Sequence, residues 1–414
     1  MATNQKQISV IIEKPIFGGD FLGRLPGNKP VFVPFVIPEE VVSISIIKEK
    51  KNYARGSLLS VQTPHAGRIN PPCKYFYQCG GCQYQHMNYA EQIEMKNQII
   101  AEQFSRISDF QFERVKKILP SVNQFNYRNN IQLSVDQAAN FGFQAFGSHK
   151  IIPIEECMLA EPDILQVWKM IDIDLIPGLR RVQIRKGIEN EIMVIFESDN
   201  YQDLPMLELD VPVSVIHTSP AGKLVLAGDD HLIHQVNDQY FHVSAESFFQ
   251  VNTSQTERMV ETVQRYLKDG GQSLLELYCG VGLFTRFVAN SFGSIHAIEE
   301  SSSACDDFAI NLDEFDHINL YVGSVKDIVP QLNIKPDSIL LDPPRSGLDP
   351  ETLEKLLTFN AKKLVYVSCD LSTLARDLQK LLDGGYQLIE ITPIDMFPQT
   401  YHVECVVLLE KHSD

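Results

Sequence analysis

The 414-residue sequence predicts an α/β, Rossmann-like doubly wound domain in its C-terminal part, with a small β-barrel at the N-terminal end and a strand-rich region between them. Three observations carry this. From about residue 255 the apolar segments SLLELY, SIHAIE, NLYVG, SILLD, KLVYVS and QLIEITPI alternate with helical stretches, and VECVVLLE closes the series. Such alternation is the signature of a mostly parallel sheet covered by helices. Residues 7–62 read instead as short strands, QISVIIEK, VFVPFVI, VVSISIIKEK and GSLLSVQ, punctuated by Gly18-Gly19-Asp20, LPGNKP and Pro38. That rhythm predicts a small closed barrel. Between 120 and about 243 NIQLSVD, FGFQAFG, RVQIRK, EIMVIFE, VPVSVIHT and KLVLAG read as strands. The expected boundaries are 1–63, 64–243 and 244–414, with a linker at Thr63-Pro64-His65-Ala66-Gly67 and Pro71-Pro72.

Composition narrows the class. The chain is 44% hydrophobic and 21% charged, ordinary values that exclude wholesale disorder. No apolar run reaches the ~18–20 residues of a membrane span. The start, MATNQKQISV, lacks a basic region followed by an apolar one, so no secretory leader is expected and the cytoplasm is the default compartment. Net charge is −17, unevenly spread. Residues 1–62 hold eight Lys/Arg against five Asp/Glu, so the barrel is +3 and the remainder −20. A basic module on an acidic body can bind a polyanion locally, and small barrels commonly bind single-stranded nucleic acid.

Cysteines are too few, at eight, for a disulfide scaffold. Three cluster as C-x5-C-G-G-C, Cys73, Cys79 and Cys82. Thiolates this close can converge on one metal centre, and the glycines let the backbone approach sulfur. A fourth ligand must come from elsewhere, and Cys157 is the next cysteine in the chain. Four thiolates suit zinc or a [4Fe–4S] cluster, and three clustered cysteines with one remote fit the cluster better. After this loop Ile93, Met95, Ile99, Ile100 and Phe104 follow a helical period, predicting an amphipathic helix over 89–107 able to pack on the C-terminal domain.

In the C-terminal part LLELYCGVG is a strand ending in a Gly-rich turn, and Glu299 follows at the end of the next strand. The glycines predict backbone N–H groups facing a ligand, and the carboxylate predicts hydrogen bonds from a ribose. This fits NAD as well as S-adenosylmethionine. Asp342, in LLDPPR, stands at a strand's carboxyl end, where ligands bind in open α/β sheets. Cys369 stands between the strand LVYVS and a helix, a place that lowers a thiol pKa and prepares a nucleophile. Cys279, Cys305 and Cys405 read as buried structural thiols. Glu404 opens the last strand, where a half-buried carboxylate can act as a general base. His402 is the neighbouring alternative.

Together these motifs, with FFQVN, SCxxxTLARDL and HVExVVLLEK, resemble the S-adenosylmethionine-dependent RNA uracil-C5 methyltransferases over nearly the whole chain. The resemblance implies a TRAM-type RNA-binding barrel and a class I methyltransferase domain. It implies Gln250, Tyr278, Glu299 and Asp342 as methyl-donor contacts, Cys369 as nucleophile and Glu404 as base. It implies Cys73, Cys79, Cys82 and Cys157 as [4Fe–4S] ligands. Chains of this family carrying both a TRAM domain and the cluster loop are more often ribosomal, so the expected substrate is a large-subunit (23S) rRNA uridine, with the tRNA T-loop as alternative. A monomer is expected. Two positions depart from the family pattern, Leu283 where Asn is frequent and Leu371 where Pro is usual. An NAD-dependent dehydrogenase leaves Cys369, DPPR and the cluster loop unexplained, and an RNA chaperone uses only the barrel.

Overall fold

The computed structural model describes residues 7–108, 110–136, 138, 140–171, 178–199 and 211–411; the first six residues of the expected barrel span lie outside these. Its packing forms two units. One comprises Met1–Arg106, Phe143–Ile152 and Phe397–His402, the other Ile107–Gly142, Pro153–Met396 and Val403–Asp414.

In the first unit β1 (Ile8–Pro15), β2 (Asp20–Leu25), β3 (Lys29–Pro34), β4 (Val41–Glu49) and β5 (Ala54–Thr63) close into a barrel of order β1-β2-β3-β5-β4. β2 fills the stretch that the sequence shows only as the space between two turns. Inward positions alternate with outward ones, so Val10 and Ile12 are buried while Ser9, Ile11 and Glu13 are exposed. A Cβ at Gly23 would lie 2.5 Å from Val10 Cγ1, which is why β2 carries glycine where it crosses β1. Helix α1 (Tyr89–Phe104) is capped by Asn88, whose side chain accepts the Glu91 N–H. It buries Met95, Ile99, Ile100 and Phe104. It stops three residues before the expected end because Ser105 turns its hydroxyl onto Glu102 O. Residues 397–402 are held within this unit: Lys96 Nζ donates to Phe397 O at 3.1 Å, and Gln399 O accepts from Gln83 N and Tyr84 N.

The second unit begins with β6 (Asn130–Val135), β7 (Phe141–Gln144), β8 (Ile151–Pro153), α2 (Pro162–Met170), β9 (Leu179–Lys186), β10 (Ile192–Ser198), β11 (Ser214–Ser219) and β12 (Gly222–Ala227). Residues 143–152 of β7 and β8 belong to the first unit. Within the second unit the sheet runs β12-β11-β10-β9-β6. The hairpin β13 (His231–Val236) and β14 (Gln239–Ser244) follows, turning at Asn237 with φ +50°. Neither this hairpin nor α2, which starts at Pro162 and buries Ile164, Val167 and Trp168, stands out in the sequence.

The doubly wound part comprises α3 (Thr253–Leu267), β15 (Gly271–Leu277), α4 (Leu283–Val288), β16 (Phe292–Glu299), α5 (Ser302–Asn311), β17 (Ile318–Val322), α6 (Val325–Ile328), β18 (Ser338–Leu341), α7 (Pro350–Phe359), β19 (Lys363–Ser368), α8 (Leu371–Asp383), β20 (Tyr386–Ile394) and β21 (Glu404–Lys411). Strand order is β17-β16-β15-β18-β19-β21-β20. β15 to β19 are parallel; β21 runs antiparallel to both its neighbours. The order reverses at β15, so the ligand crevice is expected at the carboxyl ends of β15, β16 and β18. Among the described residues no helix is long and apolar enough to cross a membrane.

A buried charge pair of the first unit gives a stability test. Glu40 is fully buried, paired with Arg68 at 2.5 and 2.7 Å, and accepts the Ile37 and His65 N–H groups. Arg68→Ala leaves the carboxylate buried and unpaired, a loss of about 3–5 kcal/mol. It is read as a lower denaturation midpoint of the full chain; an unchanged midpoint would show that the pair is not structural.

Candidate active site

β15 delivers Tyr278 to the crevice. Leu274, Leu275 and Leu277 are buried, and the chain then turns through Tyr278 at φ +61°, Gly280 at φ +55° and Gly282 at φ +87° into α4. A non-glycine residue in the left-handed region is strained, which concentrates at functional sites. A Cβ at Gly282 would lie 2.8 Å from Leu312 Cδ1, whereas one at Gly280 would meet nothing within 4 Å. Open space therefore lies beside Gly280, where a ligand has room.

Glu299 ends β16 and reaches back to this turn. Its Oε2 accepts the Gly280 N–H at 2.9 Å, and its Oε1 accepts those of Glu300 and Ser301 at 3.0 and 2.9 Å. The Gly280 N–H, expected to face a ligand, is thus given to Glu299. A carboxylate offers about four acceptor positions, so Glu299 keeps capacity for a ribose hydroxyl. Glu276, which sequence reasoning passed over, lies beneath the turn, fully buried. Its Oε2 accepts from Thr285 Oγ1 at 2.7 Å, its Oε1 has no partner, and burial pushes it to about 8. Gln250 sits half-buried before α3, on a segment whose backbone is held by Asn129: Nδ2 donates to Gln250 O, and the Asn129 N–H to Val251 O. Ser247 Oγ, 2.8 Å from Ser303 Oγ, ties this segment to α5 just beyond Glu299.

The reactive groups meet through strand register. Leu277 pairs with Leu341, so Tyr278 and Asp342 leave adjacent parallel strands side by side, and the Asp342 N–H donates to Leu277 O. Across β19 and β21 Ser368 pairs with Cys405. The next rung sets Cys369 opposite Glu404. Cys369 is half-buried and Glu404 is 6% exposed. The sequence alone places them 35 residues apart.

The thiol runs against expectation. Desolvation first, then the charges of Glu404 and Asp342, push Cys369 up to about 12, while Arg345 opposes them. The helix end does not rescue it, because Asp370 caps α8 with its carboxylate, accepting the Ser372 and Thr373 N–H groups at 2.9 and 3.0 Å. Those donors are spent on the cap. Burial likewise raises Glu404 to about 8, with Asp342 adding and Arg345 opposing, and raises Asp342 to about 7. Arg345, three positions after Asp342 and not singled out by the sequence reading, is a cation whose charge acts on both Cys369 and Glu404.

Leu283 and Leu371, the two departures, are both buried, each the first residue of its helix. Cys279, Cys305 and Cys405 are buried. His402 belongs to the first unit, its ring 4.1 Å from that of Tyr401. Cys73, Cys79 and Cys82 also lie in the first unit, Cys157 in the second, and all four are partly exposed. Among the described residues no three His, Cys, Asp or Glu are grouped closely enough to hold a metal ion. The 73–82 loop is itself well anchored: Gly80 N donates to Gln144 O, Phe146 N to Gln78 O, and Phe76 packs 5.2 Å from Phe35.

Comparison with known proteins identifies the family. Residues 196–412, just over half of the chain, match the family tRNA (uracil-5-)-methyltransferase, and residues 2–59 match the TRAM domain. An uncharacterized RNA methyltransferase of Clostridium tetani is 32% identical, over 96% of this chain and 94% of that protein. One of Staphylococcus epidermidis is 31% identical, over 93% of each. The crystal structure of the Pyrococcus abyssi tRNA (uracil-54, C5)-methyltransferase in complex with S-adenosyl-L-homocysteine has the same fold, with a TM-score of 0.77 at 24% identity, covering 97% of this chain and 100% of that one. The chain belongs to the RNA uracil-C5 methyltransferases, S-adenosylmethionine-dependent enzymes, and carries their TRAM domain at its N-terminus.

Proposed function

We propose that this enzyme methylates C5 of a uridine in large-subunit rRNA through a covalent Cys369–C6 adduct, with Glu404 as the base. The observation that carries the chemistry is the β19–β21 register that sets Cys369 opposite Glu404. The rRNA substrate rests on the resemblance, through the combination of TRAM barrel and cysteine loop. The family description favours the second reading, the tRNA T-loop. The proposal keeps the boundaries expected at 63 and 243 as the functional division, distinct from the two packing units, and takes the enzyme as a cytoplasmic monomer.

The residues divide the work as follows. Tyr278, Glu299, Asp342 and Gln250 hold the donor, with the space beside Gly280 to receive it. S-adenosylmethionine supplies an electrophilic methyl on a cationic sulfonium, a charge that also favours the Cys369 thiolate. Arg345 favours it from the protein side. The thiolate adds to C6 of a uridine flipped from its stack, placing negative charge on C5 and O4. C5 is then nucleophilic enough to take the methyl. Glu404 removes the C5 proton, the electron pair re-forms the C5–C6 double bond, and sulfur departs. Cys369→Ala abolishes methyl transfer and the adduct with 5-fluorouridine RNA. Glu404→Gln lowers turnover about 10²–10⁴-fold and accumulates methylated RNA bound covalently, seen as a slow band on a denaturing gel. An adduct from Cys369→Ala, or wild-type turnover by Glu404→Gln, overturns the assignments.

The site's protonation sets a pH dependence. Cys369 and Glu404 act deprotonated, and both are raised in the free enzyme. kcat/KM should therefore rise with pH through about 8 and continue upward as the thiol ionises. A rate independent of pH between about 6 and 9 contradicts this.

Cys73, Cys79, Cys82 and Cys157 are proposed as ligands of a [4Fe–4S] cluster. The support is the thiolate donor set and the Gly81 N–H donated to Cys79 Sγ at 3.4 Å, a kind of contact that tunes cluster sulfurs. Protein purified without oxygen should carry about four iron and four sulfide per chain. Cys82→Ser should lose both, and solubility with them; stoichiometric zinc without iron defeats the proposal.

A further inference from the structure

The TLARDL stretch of α8 has no role in the chemistry above, yet three of its side chains grip the loop that follows Asp342. Thr373 Oγ1 donates to Arg345 O at 3.1 Å. Arg376 Nη2 donates to Ser346 O and to Leu348 O, each at 3.0 Å. Asp377 Oδ2 accepts the Leu348 N–H at 2.9 Å and the Tyr366 hydroxyl at 2.8 Å, while its Oδ1 accepts Arg376 Nε at 2.8 Å. Positions i, i+3 and i+4 share one helix face, so a single face of α8 holds the backbone of Arg345, Ser346 and Leu348.

The fit is close. Gly347 has φ +71°, and a Cβ there would lie 2.6 Å from both Arg376 Nη2 and Asp377 Oδ2. Asp377 is fully buried, so its carboxylate depends on these partners. Between Asp342 and Asp349, which caps α7, the loop displays one charged side chain, Arg345. Among the described residues, the charges that bear on Cys369 are Glu404, Asp342 and Arg345, and only Arg345 favours the thiolate.

We propose that Thr373, Arg376 and Asp377 are positioning residues, a clamp that fixes Arg345 beside Cys369 and so controls the formation of the RNA adduct. This rests on Cys369 being the nucleophile. A clamp that merely stabilised the fold would lower the melting temperature alone. One that positions Arg345 must also move the pH dependence of thiolate attack, because an Arg345 set back from the site leaves Glu404 and Asp342 unopposed.

The test follows adduct formation between the full-length enzyme and 5-fluorouridine RNA, with S-adenosylmethionine present, as a function of pH. Thr373→Val should slow it about 10–100-fold, the scale on which a reacting group misplaced by an ångström is felt. It should also displace the pH profile upward, with adenosylhomocysteine affinity unchanged by calorimetry. Thr373→Ser, which keeps the hydroxyl, should restore both. Arg376→Lys should behave as Thr373→Val, since one ammonium does not span two carbonyls and a carboxylate. Asp377→Asn should give the largest effect; if it does not fold, the two less buried positions decide. An unmoved pH profile in folded Thr373→Val and Arg376→Lys overturns the clamp, as does a rate that falls only in step with adenosylhomocysteine affinity. An adduct from Cys369→Ala would instead overturn the nucleophile, so the two failures are distinguishable.

Discussion

The active site depends on the antiparallel pairing of β21 with β19. Every other strand that lines the crevice is parallel and delivers its residue at a carboxyl end; β21 alone enters from that edge, which is how a carboxylate from the chain's last strand meets a thiol 35 residues upstream. In-and-out alternation does not fix this register, because β21 is buried on both faces from Glu404 through Leu409. The far end of the strand fixes it. Lys411 N donates to Lys362 O, and Lys411 Nζ reaches Gly384 O at 2.8 Å and lies 4.7 Å over the Tyr386 ring. A one-residue slip would break these contacts and carry Glu404 away from Cys369.

That pairing has an electrostatic consequence. Glu404, Asp342 and Cys369 are acids gathered where desolvation and mutual repulsion favour their neutral forms. These groups therefore favour their protonated forms, which the proposed mechanism requires Cys369 and Glu404 to lose. A half-buried thiol held neutral resists oxidation, since thiolate character governs that reactivity. Under the proposed mechanism positive charge favours the thiolate, from Arg345 within the protein and from the donor.

Much of this architecture is legible in the sequence, because period-two strands with Gly/Pro turns and the later strand–helix alternation are local patterns. The hairpin β13–β14 and α2 are less so: each is short, and α2 buries only three apolar residues inside a region dominated by strands. Site positions at strand ends are legible for the same reason. The direction of the Cys369 shift is not, since it is set first by desolvation and then by Glu404 and Asp342, neighbours in space and not in sequence. The cysteine loop shows the converse. Its donor set is legible at once, while the geometry of the described residues gathers no ligand group.

Leu371 shows how a departure from the family pattern is absorbed. Proline at the first position of a helix contributes a fixed φ and gives up an N–H that has no partner there. Leucine lacks that preorganisation, yet α8 starts where the pattern requires. Asp370 accepts two N–H groups of the first turn, and Leu371 is 1% exposed, so its side chain is anchored in the core. Three further bonds hold the first two turns from outside, because Thr373 and Arg376 are tied to the loop bearing Arg345. The start of α8 is thus over-determined by a cap, a buried side chain and a loop, and no single one is indispensable. The loop lacks that redundancy: Arg345, Ser346 and Leu348 take these side-chain bonds from α8, and the path through Gly347 leaves no room for a Cβ.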